Sequence, residues 1–342
     1  MDQNGRTTID IIVPCYNEEQ NIDAFYHAVR EVEASMEHCD FSYYFVDDGS
    51  TDGTLDRIRD LGVHYISFSR NFGKEAAMYA GLKASTESRG GLGADYSVII
   101  DADLQHPPQL IREMLQVIRE TGCDSCAARR VSRKGEPRIR SFFARSFYRI
   151  MNRFCDIEIV DGAVDFRMMS RRMVKAVVSM PETQRFSKGI FAWVGFDTRW
   201  IEFENVQRAS GESHWSMWGL TKYAITGFLD FAETPLKVTG VFGGIVSAGS
   251  VIYLIVELLK TLILGKDVPG YESLICLLLL FGGLIVALLS VIGEYIGRMY
   301  METKNRPIFI AKESNLPPRE NTAGTVDPIP EKESSIEERS HQ

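Results

Sequence analysis

The chain has 342 residues, with 38 Lys and Arg against 46 Asp and Glu, a net charge of −8 and 45% hydrophobic residues. That length allows one large domain or two smaller ones with an ample apolar core. The acidic balance lacks the basic footprint of a nucleic-acid-binding protein, so no nucleic-acid partner is expected. The mean hydropathy of −0.10 averages unlike parts. The first half is soluble in character, whereas residues 238–256 and 273–293 carry no charge, and each approaches the ~20 residues that cross a bilayer. No basic segment followed by an apolar run opens the chain, so no cleaved signal peptide is expected and this end is placed in the cytoplasm. Six scattered cysteines suit a reducing compartment. Cys123 and Cys126 form a C-x-x-C that runs into a strand-like segment instead of opening a helix, and they read as buried strand thiols.

In chain order, residues 8–13 (TIDIIV) read as a strand stopped by Pro14. A helix follows, with Ile22, Phe25, Val29 and Val32 at helical spacing. Residues 41–46 form a second strand ending in DDGSTDGT, which is either a simple turn and helix cap or, with two acids at a strand's carboxyl end, a ribose- or base-recognition loop. Residues 63–68 form a third strand, followed by SRNFGKE at the start of a small-residue helix. Lys74 and the exposed amides there suit a phosphate, though a capped surface helix reads similarly. Gly91-x-Gly93 precedes a strand instead of following one, and Gly73-Lys74 lacks the rest of a P-loop, so neither nucleotide-binding fingerprint is met.

The stretch VIIDADLQHPP combines a buried strand (98–100), an Asp-x-Asp at its carboxyl end and a Pro-Pro helix entry. Asp101 and Asp103, two apart in an extended chain, point the same way. They can share one hard cation such as Mg2+, whose shell is completed by water and substrate phosphate, although an Asp-x-Asp pair taken alone also reads as a solvated loop. Alternating strands and helices over residues 8–128 imply an α/β domain with a mainly parallel sheet covered on both faces. Further on, Asp165 is a candidate for orienting the acceptor or substrate hydroxyls. Arg167, Arg185 and Lys188 are candidates to bind phosphate or sugar, or alternatively to form salt-bridged core pairs.

Taken in order, VPCYNEEQN, VDDGSTDGT, SRNFGKE, DADLQHPP, DFRMMSRR, QRFSKG and RASGESHW resemble glycosyltransferase family 2, most closely its polyprenyl-phosphate branch of dolichol-phosphate mannose synthases and bactoprenol glucosyltransferases. The resemblance runs from about residue 9 to 310. It implies a GT-A fold, inverting transfer from a nucleotide sugar, a UDP-linked hexose such as UDP-glucose, and a divalent Mg2+ or Mn2+. It also implies polyprenyl (undecaprenyl) phosphate as acceptor, for cell-envelope glycosylation. By matching position, Pro14, Tyr16, Asn17, Glu18 and Asp48 would line the nucleoside pocket, and Asp101, Asp103 and Gln105 would hold the metal and its diphosphate. His106 would stand behind them or at the surface. Lys74, Arg167, Arg185 and Lys188 join the nucleotide-sugar set. Arg130 and Arg133 match the Arg-x-x-Arg that holds the lipid phosphate, with Arg140 and Arg145 as looser candidates.

Residues 141–154 place Phe142, Phe143, Phe147, Ile150, Met151 and Phe154 on one helical stripe and Arg145, Arg149 and Arg153 on another. Such a helix can lie in a bilayer interface with its cations near lipid phosphates, or pack on a core with a solvated basic face. Aromatic residues from Trp215 to Phe231 precede the first apolar segment, and Lys237, Arg298, Lys304 and Arg306 flank the pair on one side. The expected organisation is a cytoplasmic catalytic domain at 1–232, a transmembrane hairpin at 233–300 with spans near 238–259 and 273–296, and a mostly disordered tail at 301–342, losing order beyond about Glu313. Both termini of this multi-pass inner-membrane protein would face the cytoplasm, and homo-oligomers are allowed. A glycolipid or polysaccharide synthase with a hydroxyl acceptor, and a non-catalytic nucleotide-sugar-binding membrane protein, are the rival readings.

Overall fold

The structure, a computed structural model, describes residues 5–131, 152, 159–203, 234–264 and 270–317. The basic stripe at 141–154 apart from Asn152, the aromatic run at 215–231, and Arg133, Arg140 and Arg145 lie outside the described residues.

The first part alternates strictly: β1 (Thr7–Cys15), α1 (Ile22–Ala34), β2 (Cys39–Asp47), α2 (Thr54–Asp60), β3 (His64–Phe68), α3 (Lys74–Gly91), β4 (Tyr96–Ile99), α4 (Leu110–Thr121) and β5 (Ser125–Arg130). Beyond it come β6 (Ala163–Ser170), α5 (Arg171–Val178), α6 (Ser187–Trp193), β7 (Thr198–Phe203), the long helices α7 (Thr234–Leu264) and α8 (Tyr271–Thr303), and β8 (Ala311–Ser314). The strands form one eight-stranded sheet in the order β7-β5-β6-β4-β1-β2-β3-β8. The pairs β1–β2, β1–β4, β2–β3 and β5–β7 are parallel, and β4–β6, β5–β6 and β3–β8 antiparallel. The sheet is therefore mixed and mostly parallel, as the alternation of elements implies.

Strand periodicity sorts the core into two layers. Ile11, Phe45, Val98 and Ile100 face one side with Phe25 and Val29 of α1 and Ile111 and Met114 of α4. Their sequence neighbours Ile12, Val46 and Ile99 face the other, with α3 and with Met173 and Val174 of α5. Helix α3 lies close on the sheet because its buried face is Ala76, Ala77, Ala80, Gly81 and Ala84. A Cβ at Gly81 would stand 2.3 Å from Ile12 Cγ2. Cys123 and Cys126 are free and buried, and burial pushes the Cys126 thiol up to about 12.

Strand order also marks the candidate site. From β1 the chain moves outward to β2 and β3, then returns to place β4 on the opposite side of β1. This reversal sets the carboxyl ends of β1 and β4 side by side at a switch in strand order, the position at which open α/β sheets take ligands. Pro14 and Cys15 end one of these strands and Asp101 follows the other.

Of the two long apolar helices, α8 contains a stretch, Leu280–Thr303, long and apolar enough to cross a membrane. After it the chain returns to the domain: β8 pairs with β3, and Phe309 and Ala311 enter the core layer that contains α3. This strand was not anticipated from the tail's polar composition. Residues 318–342 lie outside the described residues.

Candidate active site

Asp101 leaves β4 into a tight turn. Asp103 is buried, its Oδ1 accepts the Gln105 amide at 3.1 Å, and Leu104 between them takes the left-handed conformation at φ +57°. Few branched residues adopt that conformation, so the turn is held by its surroundings. Strand β6 runs antiparallel beside β4 with Ile99 opposite Arg167. Carried two residues further, the same register sets Asp101 beside Asp165.

Lys74 joins the two carboxylates. It is the first residue of α3, after Gly73 at φ +99°, and its Nζ lies 2.8 Å from Asp101 Oδ2 and 2.7 Å from Asp165 Oδ2. Asp101 Oδ1 stands 2.8 Å from the same ammonium, yet it is buried and accepts no hydrogen bond. Burial alone would raise the Asp165 pKa. The Lys74 ammonium, followed by Lys188 and then Arg167, outweighs burial and holds the carboxyl well below its usual range. Burial likewise opposes the charge on Lys74, and Asp101 and Asp165 overcome it, so the ammonium stays protonated beyond the ordinary lysine range.

Around this centre lie further cations. Arg167 is buried on β6, its guanidinium 3.9 Å from the Phe191 ring, and burial brings its pKa down to about 10 although Asp165 opposes the shift. Lys188 Nζ donates to Ala163 O at 3.0 Å, two residues before Asp165. Arg185 is buried away from the carboxylate pair, over the Tyr79 ring at 4.5 Å and bonded to Met180 O. Arg130 sits half-buried at the end of β5, its amide bonded to Gly162 O at 2.9 Å. His106 is buried against Phe166 and Phe203, and burial lowers its pKa.

The proposed nucleoside residues gather at the ends of β1 and β2, where two loops lock together. Asn17, at φ +55°, donates its amide to Ser50 Oγ at 2.9 Å and accepts Thr51 N on Oδ1 at 2.9 Å. The Glu18 amide donates to Thr54 Oγ1 at 2.8 Å, and Glu18 Oε2 accepts Asn21 Nδ2 at 2.6 Å. Pro14 is buried in β1, and the Asp48 amide bonds Cys15 O at 2.9 Å. Tyr16 is partly buried between Cys15 and Asn17. Asp48 Oδ1 accepts Phe72 N at 2.6 Å and Oδ2 accepts Gly73 N at 2.9 Å. Burial nonetheless lifts its pKa to about 6, the two amides only partly offsetting it. The turn holding Asp48 presses on the next loop: a Cβ at Gly49, φ +68°, would meet Arg70 C at 2.5 Å.

Two residues of the site had no counterpart in the sequence reading. Glu75, beside Lys74, accepts both the amide and the hydroxyl of Ser187. Glu19 Oε2 accepts the Gly53 amide at 3.1 Å and ties the two nucleoside-side loops from outside.

Among the described residues no cluster of three or more His, Cys, Asp and Glu could hold a metal by itself. The donor set still fits an Mg2+ or Mn2+ ion that is completed by substrate. Asp101 and Asp103 offer carboxylates two residues apart, Asp101 Oδ1 has among the described residues no contacting donor but the Lys74 ammonium at 2.8 Å, and such ions are bound through one or two carboxylates plus phosphate oxygens.

The family model for glycosyl transferase family 2 matches residues 10–178. Bacillus subtilis CsbB, named provisionally as a glycosyltransferase, is 40% identical over 314 residues, covering 90% of this chain and 92% of its own. The bactoprenol glucosyl transferase of Shigella phage SfII is 36% identical over 312 residues, covering 90% of this chain and 98% of its own. Among solved structures, mannosyl-3-phosphoglycerate synthase from Rubrobacter xylanophilus aligns over 66% of this chain and 72% of that one, with 17% identity and a TM-score of 0.44. With relatives this similar over nearly its whole length, the chain belongs to glycosyltransferase family 2, and its mixed, mostly parallel α/β sheet is of the GT-A type.

Proposed function

We propose that this protein transfers a hexose, with inversion, from a nucleotide sugar such as UDP-glucose to a polyprenyl phosphate at the cytoplasmic face of the membrane. The observation that carries the choice of acceptor is the state of Asp165. Bonded to Lys74 and held ionised far below neutrality, it is a weak base. A hydroxyl acceptor needs a base near the attacked carbon to take its proton. A phosphate monoester, with a second pKa of ~6, is mostly dianionic at neutral pH and attacks without one. The name of the phage relative, a bactoprenol glucosyl transferase, supports the same acceptor class.

In the reaction an oxygen of the lipid phosphate forms a bond to the anomeric carbon. The bond from that carbon to the diphosphate breaks, its electron pair stays on the β-phosphate oxygen, and a nucleoside diphosphate leaves. A single in-line displacement inverts the anomeric centre. Asp101 and Asp103, with Gln105 beside them, would hold Mg2+ or Mn2+, which supplies charge neutralisation to the leaving diphosphate. Lys74 adds a fixed positive charge at the same place, and Lys188 from α6 and Arg167 on β6 extend it. Asp165 orients the acceptor or the sugar hydroxyls, and the loops carrying Pro14, Tyr16, Asn17, Glu18 and Asp48 take the nucleoside. Arg185 belongs to the donor side only through the segment it anchors. Arg130 and Arg133, with Arg140 and Arg145 beyond them, would meet the lipid phosphate.

The membrane part of the proposal rests on α7 and α8. Large apolar side chains such as Ile252, Leu262, Ile263, Leu278, Leu280 and Ile296 are more than half exposed along them, an arrangement stable in lipid. A two-span hairpin with both termini cytoplasmic would keep the site near the headgroups that present the lipid phosphate. Mass spectrometry of the lipid product formed by the full-length protein from a panel of nucleotide sugars tests the reading. A hexose added to polyprenyl phosphate is expected, and its absence with every donor would overturn the proposal.

A further inference from the structure

The carboxyl end of α8 is fastened to the catalytic domain on both sides of Lys74. On one side Glu302, in the last turn of α8, accepts two consecutive backbone amides of the segment before α6: Thr183 N at 3.0 Å and Gln184 N at 3.3 Å, both on Oε1. That segment continues into Ser187, whose amide and hydroxyl bond Glu75 next to Lys74, and into Lys188, whose ammonium holds Ala163 O just before Asp165. On the other side Phe309 stacks on Phe68 at 4.8 Å and Ile310 O accepts Ser69 N at 2.9 Å. Phe68 in turn meets Phe72 edge-on at 5.7 Å, immediately before Gly73 and Lys74.

We propose that Glu302 is a positioning residue: through Thr183 and Gln184 it sets the placement of the 183–188 segment, and so couples the seat of α8 to the carboxylate–lysine centre. A carboxylate that accepts two adjacent amides fixes a loop far better than a solvated backbone does, since bonds to a charged acceptor are the stronger class. Without it, the 183–188 segment keeps its Glu75 and Ala163 bonds but loses its tie to the helix. The substrates assayed rest on the function proposed above, whereas the placement of the segment does not.

The test compares Glu302→Ala and Glu302→Gln with the wild type, as full-length protein in detergent or lipid nanodiscs, by amide hydrogen exchange and by steady-state transfer. Glu302→Ala is expected to raise exchange at Thr183 and Gln184 roughly tenfold or more, the loss of one charge-assisted bond. Exchange in β1 and β4 should stay unchanged. The same variant should lower kcat for transfer from UDP-glucose to polyprenyl phosphate by a similar factor with little change in the KM for UDP-glucose. Glu302→Gln keeps a neutral carbonyl acceptor where Oε1 stands but puts a donor where Oε2 accepts Thr183, so it should restore both readouts only in part, exchange at Gln184 more than at Thr183. Unchanged exchange at Thr183 and Gln184 would overturn the proposal whether or not transfer is seen. So would a rise spread over the whole domain, which marks a stability effect, or a local rise with kcat intact. Absence of transfer in the wild type would count against the proposed function, and the exchange arm would still decide whether Glu302 places the segment.

Discussion

Lys74 Nζ stands 2.7 Å from Asp165 Oδ2 while also touching Asp101, so one ammonium is the common partner of a carboxylate on β6 and one just past the end of the antiparallel β4. Removing that partner leaves two partly buried acids facing each other. Lys74→Met is therefore expected to cost about 1–3 kcal/mol of stability, less than breaking a fully buried pair because the three side chains keep some contact with solvent. The double variant Lys74→Met with Asp165→Asn should regain much of the thermal midpoint and still lack transfer. Recovery of transfer in the double variant would show that Lys74 serves the fold alone.

Metal dependence follows from Asp101 and Asp103. EDTA is expected to abolish transfer, and Mg2+ or Mn2+ to restore it. Asp103→Ala should lower kcat/KM by a hundredfold or more while hydrogen exchange across β1 and β2 stays as in the wild type. Undiminished transfer in EDTA would remove the metal from the account.

Asp48 gives a pH signature. Its folded pKa of about 6 exceeds the ordinary 3.8 because burial outweighs the Phe72 and Gly73 amides. The folded state therefore holds this proton more tightly than the unfolded one. The resulting stability is fully present below about pH 4 and is lost as pH rises through about 6. The thermal midpoint of the wild type relative to Asp48→Asn should climb as pH falls from 7 to 4.5. A difference that stays flat or runs the other way over that window would contradict this ionisation state. Fluorescence-monitored melting at half-unit pH steps is sufficient.

Much of this arrangement is legible in the sequence. The apolar runs around Ile11, Phe45 and Val98, and the helical spacing of Phe25 and Val29, announce the alternating sheet, because strand and helix periods differ sharply. The Asp101-x-Asp103 pair and Lys74 are legible because they fall at a strand's carboxyl end and a helix start within an ordered set of motifs, although turn and cap chemistry alone also favours such residues there. The contact between Lys74 and Asp165 is less accessible, since it depends on β6 lying antiparallel beside β4, a long-range register that no local pattern encodes. Strand β8 is harder still. AKES has no strand signature, and its pairing comes from long-range contacts: Arg59 to Glu313 at 2.5 Å, and Asn315 Oδ1 accepting Tyr65 N at 2.8 Å. Glu302 reads as the polar end of an apolar helix until Thr183 and Gln184 are seen against it.

In the proposed reaction the acceptor brings its own negative charge and the site supplies no strong base. The most direct measurement of this is a competition, with purified full-length protein offered UDP-glucose together with polyprenyl phosphate and the matching polyprenol in equal amounts, the products being separated by mass. Hexose is expected on the phosphate alone, with kcat/KM for the alcohol lower by roughly a thousandfold or more. Comparable transfer to the alcohol would contradict it, because Asp165, bound to Lys74 and ionised, could not then be as weak a base as its surroundings make it.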